Sequence, residues 1–176
     1  MPVLIAWIAL ALLAPAQRLA PYAATPHDVV DRMLALAGVT ATDVVVDLGC
    51  GDGRIPVRAA QKFGARGRGV DLDPRRIDEA QANARAAGVE HLTEFVVGDA
   101  LKADVSEATV VTLFLGSEGN ARLRPILQSQ LRPGARIVSH AFSMGPEWPP
   151  HRVERFTSAD GDAVTLYLWI IHAEGR

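Results

Sequence analysis

Carboxylates and glycines carry the chemistry legible in this sequence. Asp47-Leu48-Gly49-Cys50-Gly51-Asp52-Gly53 sets an acid two residues ahead of three alternating glycines. Glycine has no Cβ, so a loop built from it lets a ligand approach the backbone closely. If a helix follows, its free N–H groups add a second source of donors. The β-branched run Val44-Val45-Val46 before the acid and the helix-compatible stretch after Arg54 supply that order: strand, loop, helix. This is the layout of a nucleotide site. A dinucleotide fingerprint requires Gly-x-Gly-x-x-Gly. Counting from Gly49 reaches Gly51 and then Arg54, which argues against an NAD-dependent oxidoreductase. No Gly-Lys-Ser/Thr run is present, so a phosphate-binding loop is excluded as well. A carboxylate at the strand end repels a pyrophosphate and suits a ligand amine.

The elements that must position these groups follow from periodicity. Thr25 and Pro26 read as the cap and first residue of a helix whose apolar face is Val29, Val30, Met33, Leu34 and Ala37. A first strand begins at Thr42, and a helix from Ile55 to Phe63 ends at Gly64. Gly67 to Val70 forms a second strand, and Asp73-Pro74 opens a helix reaching about Ala87. Further strands are expected over Glu94–Val97, Thr109–Leu115 and Arg136–Phe142, with a helix from about Ser117 to Leu131. The last two, Arg152–Phe156 and Val164–Ile171, flank Asp160-Gly161 as a hairpin. Alternating strands and helices predict an α/β fold, a doubly wound, mainly parallel sheet closed by an antiparallel C-terminal hairpin. Such sheets bind ligands at the carboxyl ends of their strands, where the strand order reverses. Asp47, Asp71 and Asp99 end the first three strands there. Asp71 lies about twenty residues beyond the glycines, where an acid accepts hydrogen bonds from ribose hydroxyls.

At this point the chain resembles the class I, seven-stranded, Rossmann-like S-adenosylmethionine-dependent methyltransferases, whose first motif is Asp/Glu-x-Gly-x-Gly-x-Gly. S-adenosylmethionine carries an amino acid and a sulfonium and no phosphate, which agrees with the acid at Asp47. Flanking patterns narrow the likeness: Pro21-Tyr22-x-x-Thr25-Pro26, Val110-Val111-Thr112-Leu113-Phe114-Leu115 and Leu131-Arg132-Pro133-Gly134-Ala135-Arg136-Ile137-Val138-Ser139-His140. Together they are similar to a small bacterial group related to the mitochondrial lysine methyltransferases that act on the c-ring protein of ATP synthase and on the adenine nucleotide translocase. The resemblance implies S-adenosylmethionine as cofactor, held by Asp47, Gly49, Gly51, Asp52, Gly53, Asp71, Asp99 and Ala100. Asp99 and Ala100 occupy the place where such enzymes hold the adenine amino group. It also implies direct methyl transfer to a protein lysine of a membrane-associated acceptor.

Acceptor-side candidates come from the ends of the fourth and fifth strands. Glu118 could hold a cationic amine, Asn120 could position it, and His140 could take its proton. Each has a plainer reading: Glu118 as negative charge on a helix N-terminus, and His140 as a histidine satisfied at a strand end. Asp52 either touches the amino-acid end of the ligand through water or supports the loop. Cys50 lacks a nearby basic partner, so small size explains it better than nucleophilicity. The other histidines have no metal-ligand spacing, and no metal is expected. The Asp/Asn-Pro-Pro-Tyr motif of enzymes acting on planar nitrogens is absent, which argues against DNA or glutamine nitrogens.

The chain has 176 residues, about half of them apolar, and a net charge of −2. That length holds one domain, and that charge gives no basic field for nucleic acid. Residues 1–20 read as a hydrophobic signal or anchor segment and 21–176 as the methyltransferase domain. Val3 to Ala14 is uninterrupted apolar, shorter than the ~20 residues that span a bilayer comfortably. Ala14-Pro15-Ala16 offers a small-x-small cleavage site, which would make Val3 to Ala16 a signal peptide and the domain exported. No cation precedes the run, however, and Arg18 follows it. That favours membrane association with the domain facing the cytoplasm. A non-catalytic S-adenosylmethionine-binding, membrane-associated module is the remaining alternative.

Overall fold

The computed structural model describes residues 19–173. The apolar run of residues 3–14 and the cleavage-like site after it lie outside them. The elements are α1 (His27–Leu36), β1 (Val44–Leu48), α2 (Arg54–Phe63), β2 (Arg66–Asp71), α3 (Pro74–Ala86), β3 (Thr93–Val97), β4 (Val110–Leu113), α4 (Gly116–Gln130), β5 (Arg136–His140), β6 (Arg152–Thr157) and β7 (Ala163–Ile170). One seven-stranded sheet takes the order β3-β2-β1-β4-β5-β7-β6. β1 to β5 are parallel, and β7 runs antiparallel to both β5 and β6. The doubly wound expectation and its closing hairpin are therefore met.

Alternation along the central strands divides the core. Val46, Leu48, Val111, Leu113 and Ile137 pack with Leu123 and Leu127 of α4. Val45, Val110 and Val138 face the other way, onto Val29, Val30, Met33 and Leu34 of α1 and Ile55 and Ala59 of α2. α3 joins that second layer through Ile77, Ala80 and Ala84, against Phe95 of β3. Burial on both faces is what a continuous β-branched run requires. It pins β1 between β2 and β4, where the strand order reverses and the ligand crevice opens.

Several boundaries differ from the sequence expectation, each for a local reason. α1 starts at His27 with Pro26 as its cap residue, and no side chain caps it. Thr25 is buried, and its hydroxyl lies 3.4 Å from His140 Nδ1 instead. β1 starts at Val44, because Thr40–Asp43 forms a turn in which Asp43 accepts the Thr40 N–H at 2.7 Å. β4 ends at Leu113, since the chain turns through Leu115 into Gly116 at φ +76°. β5 ends at His140 because Ala141 adopts φ +65°, a left-handed conformation rare for a residue with a Cβ. Where many such sheets carry a helix, the chain between β5 and β6 is the loop 141–151. Its Trp148 carbonyl accepts the Trp169 indole N–H at 2.8 Å.

Candidate active site

β1 delivers Asp47 to the crevice, and the glycine loop turns beside it. Gly49, Gly51 and Gly53 all have positive φ, at +80°, +53° and +74°. They do different things. Gly49 N–H and Cys50 N–H both bond to the Val70 carbonyl of β2, at 2.8 and 3.0 Å. The Gly51 N–H donates to Asp71 Oδ2 at 2.9 Å. Those three donors are spent on the protein, so the loop is no anion cradle. Its missing Cβ atoms admit side chains that line the cleft. A Cβ added at Gly49 would meet Leu115 at 2.6 Å, and one added at Gly51 would meet Tyr22 at 2.5 Å. Gly53 is a correction: it does not line the cleft. A Cβ there would sit 2.7 Å from that of Ala80 and 2.6 Å from the Phe95 ring, so this glycine serves packing of α2 against α3 and β3.

Asp47 is buried and accepts the Thr112 hydroxyl at 2.7 Å. Burial pushes its carboxyl up to about 7; the Thr112 bond opposes this, and the nearby Asp71 and Asp52 charges add to it. Its charged neighbours are thus carboxylates, which leaves a place for a ligand cation. The pH consequence has a definite sign. With the folded value near 7 and the ordinary value 3.8, the folded chain holds a proton that the unfolded chain releases between them. Stability of the unliganded protein should then fall as pH rises from about 4 to about 7. Thermal melts across that window should show a shallower decline in Asp47→Asn; equal slopes would refute this account of Asp47.

Asp71 ends β2 and lines the same cleft. Its Oδ2 takes the Gly51 N–H and its Oδ1 the Asp73 N–H, each at 2.9 Å. One carboxylate therefore clamps the glycine loop to the start of α3 and still has lone pairs for a ligand. Asp73 caps α3 through the Arg75 N–H. Asp99 accepts the Leu101 N–H at 2.9 Å and lines the cleft with Ala100. Asp52 pairs with Arg54 at 2.6 Å, and Arg54 donates to the Thr25 carbonyl at 2.9 Å. Burial works against the Asp52 charge, and the Arg54 guanidinium overcomes it, holding the carboxyl below the ordinary range. Asp52 thus supports the loop while lining the cleft. Cys50 is buried, and burial raises its thiol well above the usual value, so it is no nucleophile.

The acceptor side is assembled differently from the sequence expectation. Glu118 is exposed in the first turn of α4. Asn120 is fully buried, and its amide donates to Ser139 Oγ and the Phe142 carbonyl, both at 2.9 Å. It therefore positions the loop after β5 and does not meet an acceptor. His140 is buried and is not among the cleft-lining residues, with its ring stacked on Phe114 at 4.1 Å between centroids. Burial holds its pKa below the ordinary value, which keeps the imidazole neutral. Phe114 and Leu115 line the cleft, as does the segment from Leu19 to Thr25. Within that segment, Tyr22 lies over Gly51 and under the Arg76 guanidinium, 3.6 Å from its ring centroid. Phe114 and Tyr22 stand inside the quoted sequence patterns, yet nothing in their spacing marks them as cleft residues.

The sequence pattern of the ANTKMT methyltransferase domain matches residues 47–152. Over 152 residues the chain is 43% identical to a protein-lysine N-methyltransferase of Saccharolobus islandicus, spanning 86% of this chain and 93% of that one. It is 36% identical to the adenine nucleotide translocase lysine N-methyltransferase of Mus musculus, over 60% of this chain and 46% of that protein. The chain thus spans about half the length of that vertebrate relative. Among solved structures it is similar to an RNA methyltransferase of Salinibacter ruber in complex with S-adenosyl-L-homocysteine. That likeness has a TM-score of 0.80 and 52% identity, covering 86% of this chain and 95% of the other.

Proposed function

Because the chain belongs to the ANTKMT methyltransferase domain family and takes its methyl group from S-adenosylmethionine, we propose that its acceptor is the ε-amine of a protein lysine. The observation that carries this reading is the 43% identity with the Saccharolobus islandicus protein-lysine enzyme over most of both chains; the charge of the cleft is compatible with it. Asp47, Asp52, Asp71, Asp73 and Asp99 line the cleft, and its two arginines are engaged, Arg54 with Asp52 and Arg76 with Glu79. A lysine side chain is drawn to such a field and RNA phosphates are repelled. The name of the Salinibacter ruber relative makes RNA the competing acceptor.

Bound S-adenosylmethionine supplies an electrophilic methyl group on a sulfonium. Asp47 would hold the cofactor's ammonium, Asp71 its ribose hydroxyls, and Asp99 with Ala100 its adenine edge. Gly49 and Gly51 let Leu115 and Tyr22 close against the loop. In-line displacement asks mainly for orientation, which the rigid ends of β1, β2 and β4 provide. The attacking amine must first lose a proton. Glu118, exposed in the first turn of α4 shortly after the cleft residue Leu115, attracts the lysine cation. Phe114, which lines the cleft with His140 stacked on it, offers an apolar flank on which the uncharged amine is favoured. The apolar run of residues 3–14 supports membrane association, with the domain on the cytoplasmic side where S-adenosylmethionine is made.

Mass spectrometry of proteins from cells with and without this chain tests the acceptor. A small set of lysine peptides should lose ε-methylation when the chain is missing. Unchanged lysine methylation alongside a lost methyl mark in RNA would overturn the reading.

A further inference from the structure

Arg54 stands where a dinucleotide loop would carry its third glycine, and its side chain joins separate parts of the cleft wall. Its Nε and Nη2 form a fork on Asp52, 2.9 Å from Oδ1 and 2.6 Å from Oδ2. Its Nη1 donates to the Thr25 carbonyl at 2.9 Å. The Asp52 bonds raise the Arg54 pKa above its ordinary value; burial opposes them, and the Tyr22 phenol adds to them. Tyr22 itself lies against Gly51, with the Arg76 guanidinium 3.6 Å from its ring centroid.

The segment these contacts hold, Leu19 to Thr25, has no regular secondary structure, and all of it lines the cleft. It crosses from α4, where Leu19 lies beside Gly119, to the start of α1. Thr25 is its buried end, and Pro21 to Ala24 are exposed on their outer side. Among the described residues, none of its backbone groups bonds to another backbone group. A stretch held by side chains alone opens at small cost.

We propose that Arg54 is a positioning residue for the cofactor: it ties Leu19–Thr25 down as a strap across the cleft, and the strap lifts for S-adenosylmethionine to enter and S-adenosylhomocysteine to leave. The strap serves cofactor exchange whichever group accepts the methyl. Arginine suits the task by its shape. A planar guanidinium makes two parallel N–H bonds to one carboxylate and keeps a third donor for a carbonyl. A lysine ammonium is a point charge without that fork, so it cannot hold Asp52 and Thr25 in the same register. Asp52 belongs to the glycine loop, which Asp71 also clamps through the Gly51 N–H. The strap is thus fastened to the loop that receives the cofactor.

The test uses the full chain loaded with labelled S-adenosylhomocysteine, whose release is timed after a chase of unlabelled ligand. Release should be about tenfold faster in Arg54→Lys and in Tyr22→Ala. The double variant should match Tyr22→Ala within about twofold, because both changes act through one strap. Association should be at least as fast in Arg54→Lys as in wild type, since a loosened strap admits ligand readily. Arg58→Lys supplies the control. Arg58 stands on the same helix and makes a similar fork on Asp31, at 2.6 and 2.7 Å, away from the cleft. Its variant should release at the wild-type rate, and thermal melts check that each variant folds. Unchanged release in Arg54→Lys and Tyr22→Ala, or slower association in Arg54→Lys, would overturn the strap. So would effects that multiply in the double variant, or equal acceleration in Arg58→Lys. Each of these results would leave the lysine reading standing.

Discussion

Replacing Asp71 with alanine should weaken S-adenosylmethionine binding by roughly a hundredfold. The carboxylate accepts the Gly51 N–H on one oxygen and the Asp73 N–H on the other. Hydrogen bonds to a charged group are worth about 1.5–3 kcal/mol each. Losing two frees the glycine loop from the start of α3, and the proposed ribose contact goes with them. Because Asp71 is only half-buried, the lower end of that range applies to the two proposed ribose hydroxyl bonds, giving about 3 kcal/mol in total. The Gly51 and Asp73 bonds are present without ligand and bear on loop order. Titration calorimetry reads the effect directly. Asp71→Asn keeps one carbonyl acceptor and should fall between wild type and alanine. Affinity of the alanine variant within about threefold of wild type would show that Asp71 is not a ligand clamp.

Gly53→Ala should lower the melting temperature by roughly 6–12 °C. An L-residue in the left-handed region costs about 1–2 kcal/mol. Overpacking against a closed interior adds about 1–3 kcal/mol. Both apply here, because φ is +74° and the new Cβ would meet Ala80 Cβ at 2.7 Å and the Phe95 ring at 2.6 Å. The sum is about 3 kcal/mol, and a domain of this size loses about 2–4 °C per kcal/mol. Gly88→Ala supplies the control. Its φ is +68° but nothing lies within 4 Å of the added carbon, so only the backbone part remains, about 2–8 °C. Equal shifts in the two variants would mean that packing at Gly53 contributes nothing.

The sheet is legible in the sequence because its signals are local and repeated. Val44 to Leu48 and Val110 to Leu113 are apolar apart from Asp47 and Thr112, and each strand ends near a glycine or an acid at the edge of the cleft. The three acids can be placed for the same reason: a residue at a strand's carboxyl end has its position fixed by topology. What the sequence does not reveal are partners distant along the chain. Thr25 has the local pattern of a helix cap, but it faces His140 across the fold. Asn120 has the pattern of an acceptor-site residue because it follows β4 by a few positions. One helical turn carries it inward, where Ser139 and the Phe142 carbonyl take its donors. A glycine loop can offer N–H groups to a ligand, but their direction depends on the register of the neighbouring strand. Here Val70 and Asp71 of β2 claim them first. Phe142 carries no signal at all, since its place depends on the conformation of Ala141 and on a side chain of the preceding helix.

A methyltransferase that serves a lysine amine should mark protein and leave RNA unmarked. Labelled methyl from S-adenosylmethionine, transferred into extract from cells lacking the chain and split between protease and nuclease digestion, distinguishes the two. Protease should release the label and nuclease should not, and hydrolysis should recover it as ε-methylated lysine. Label released by nuclease, or label in protein found on any residue other than lysine, would contradict the lysine reading.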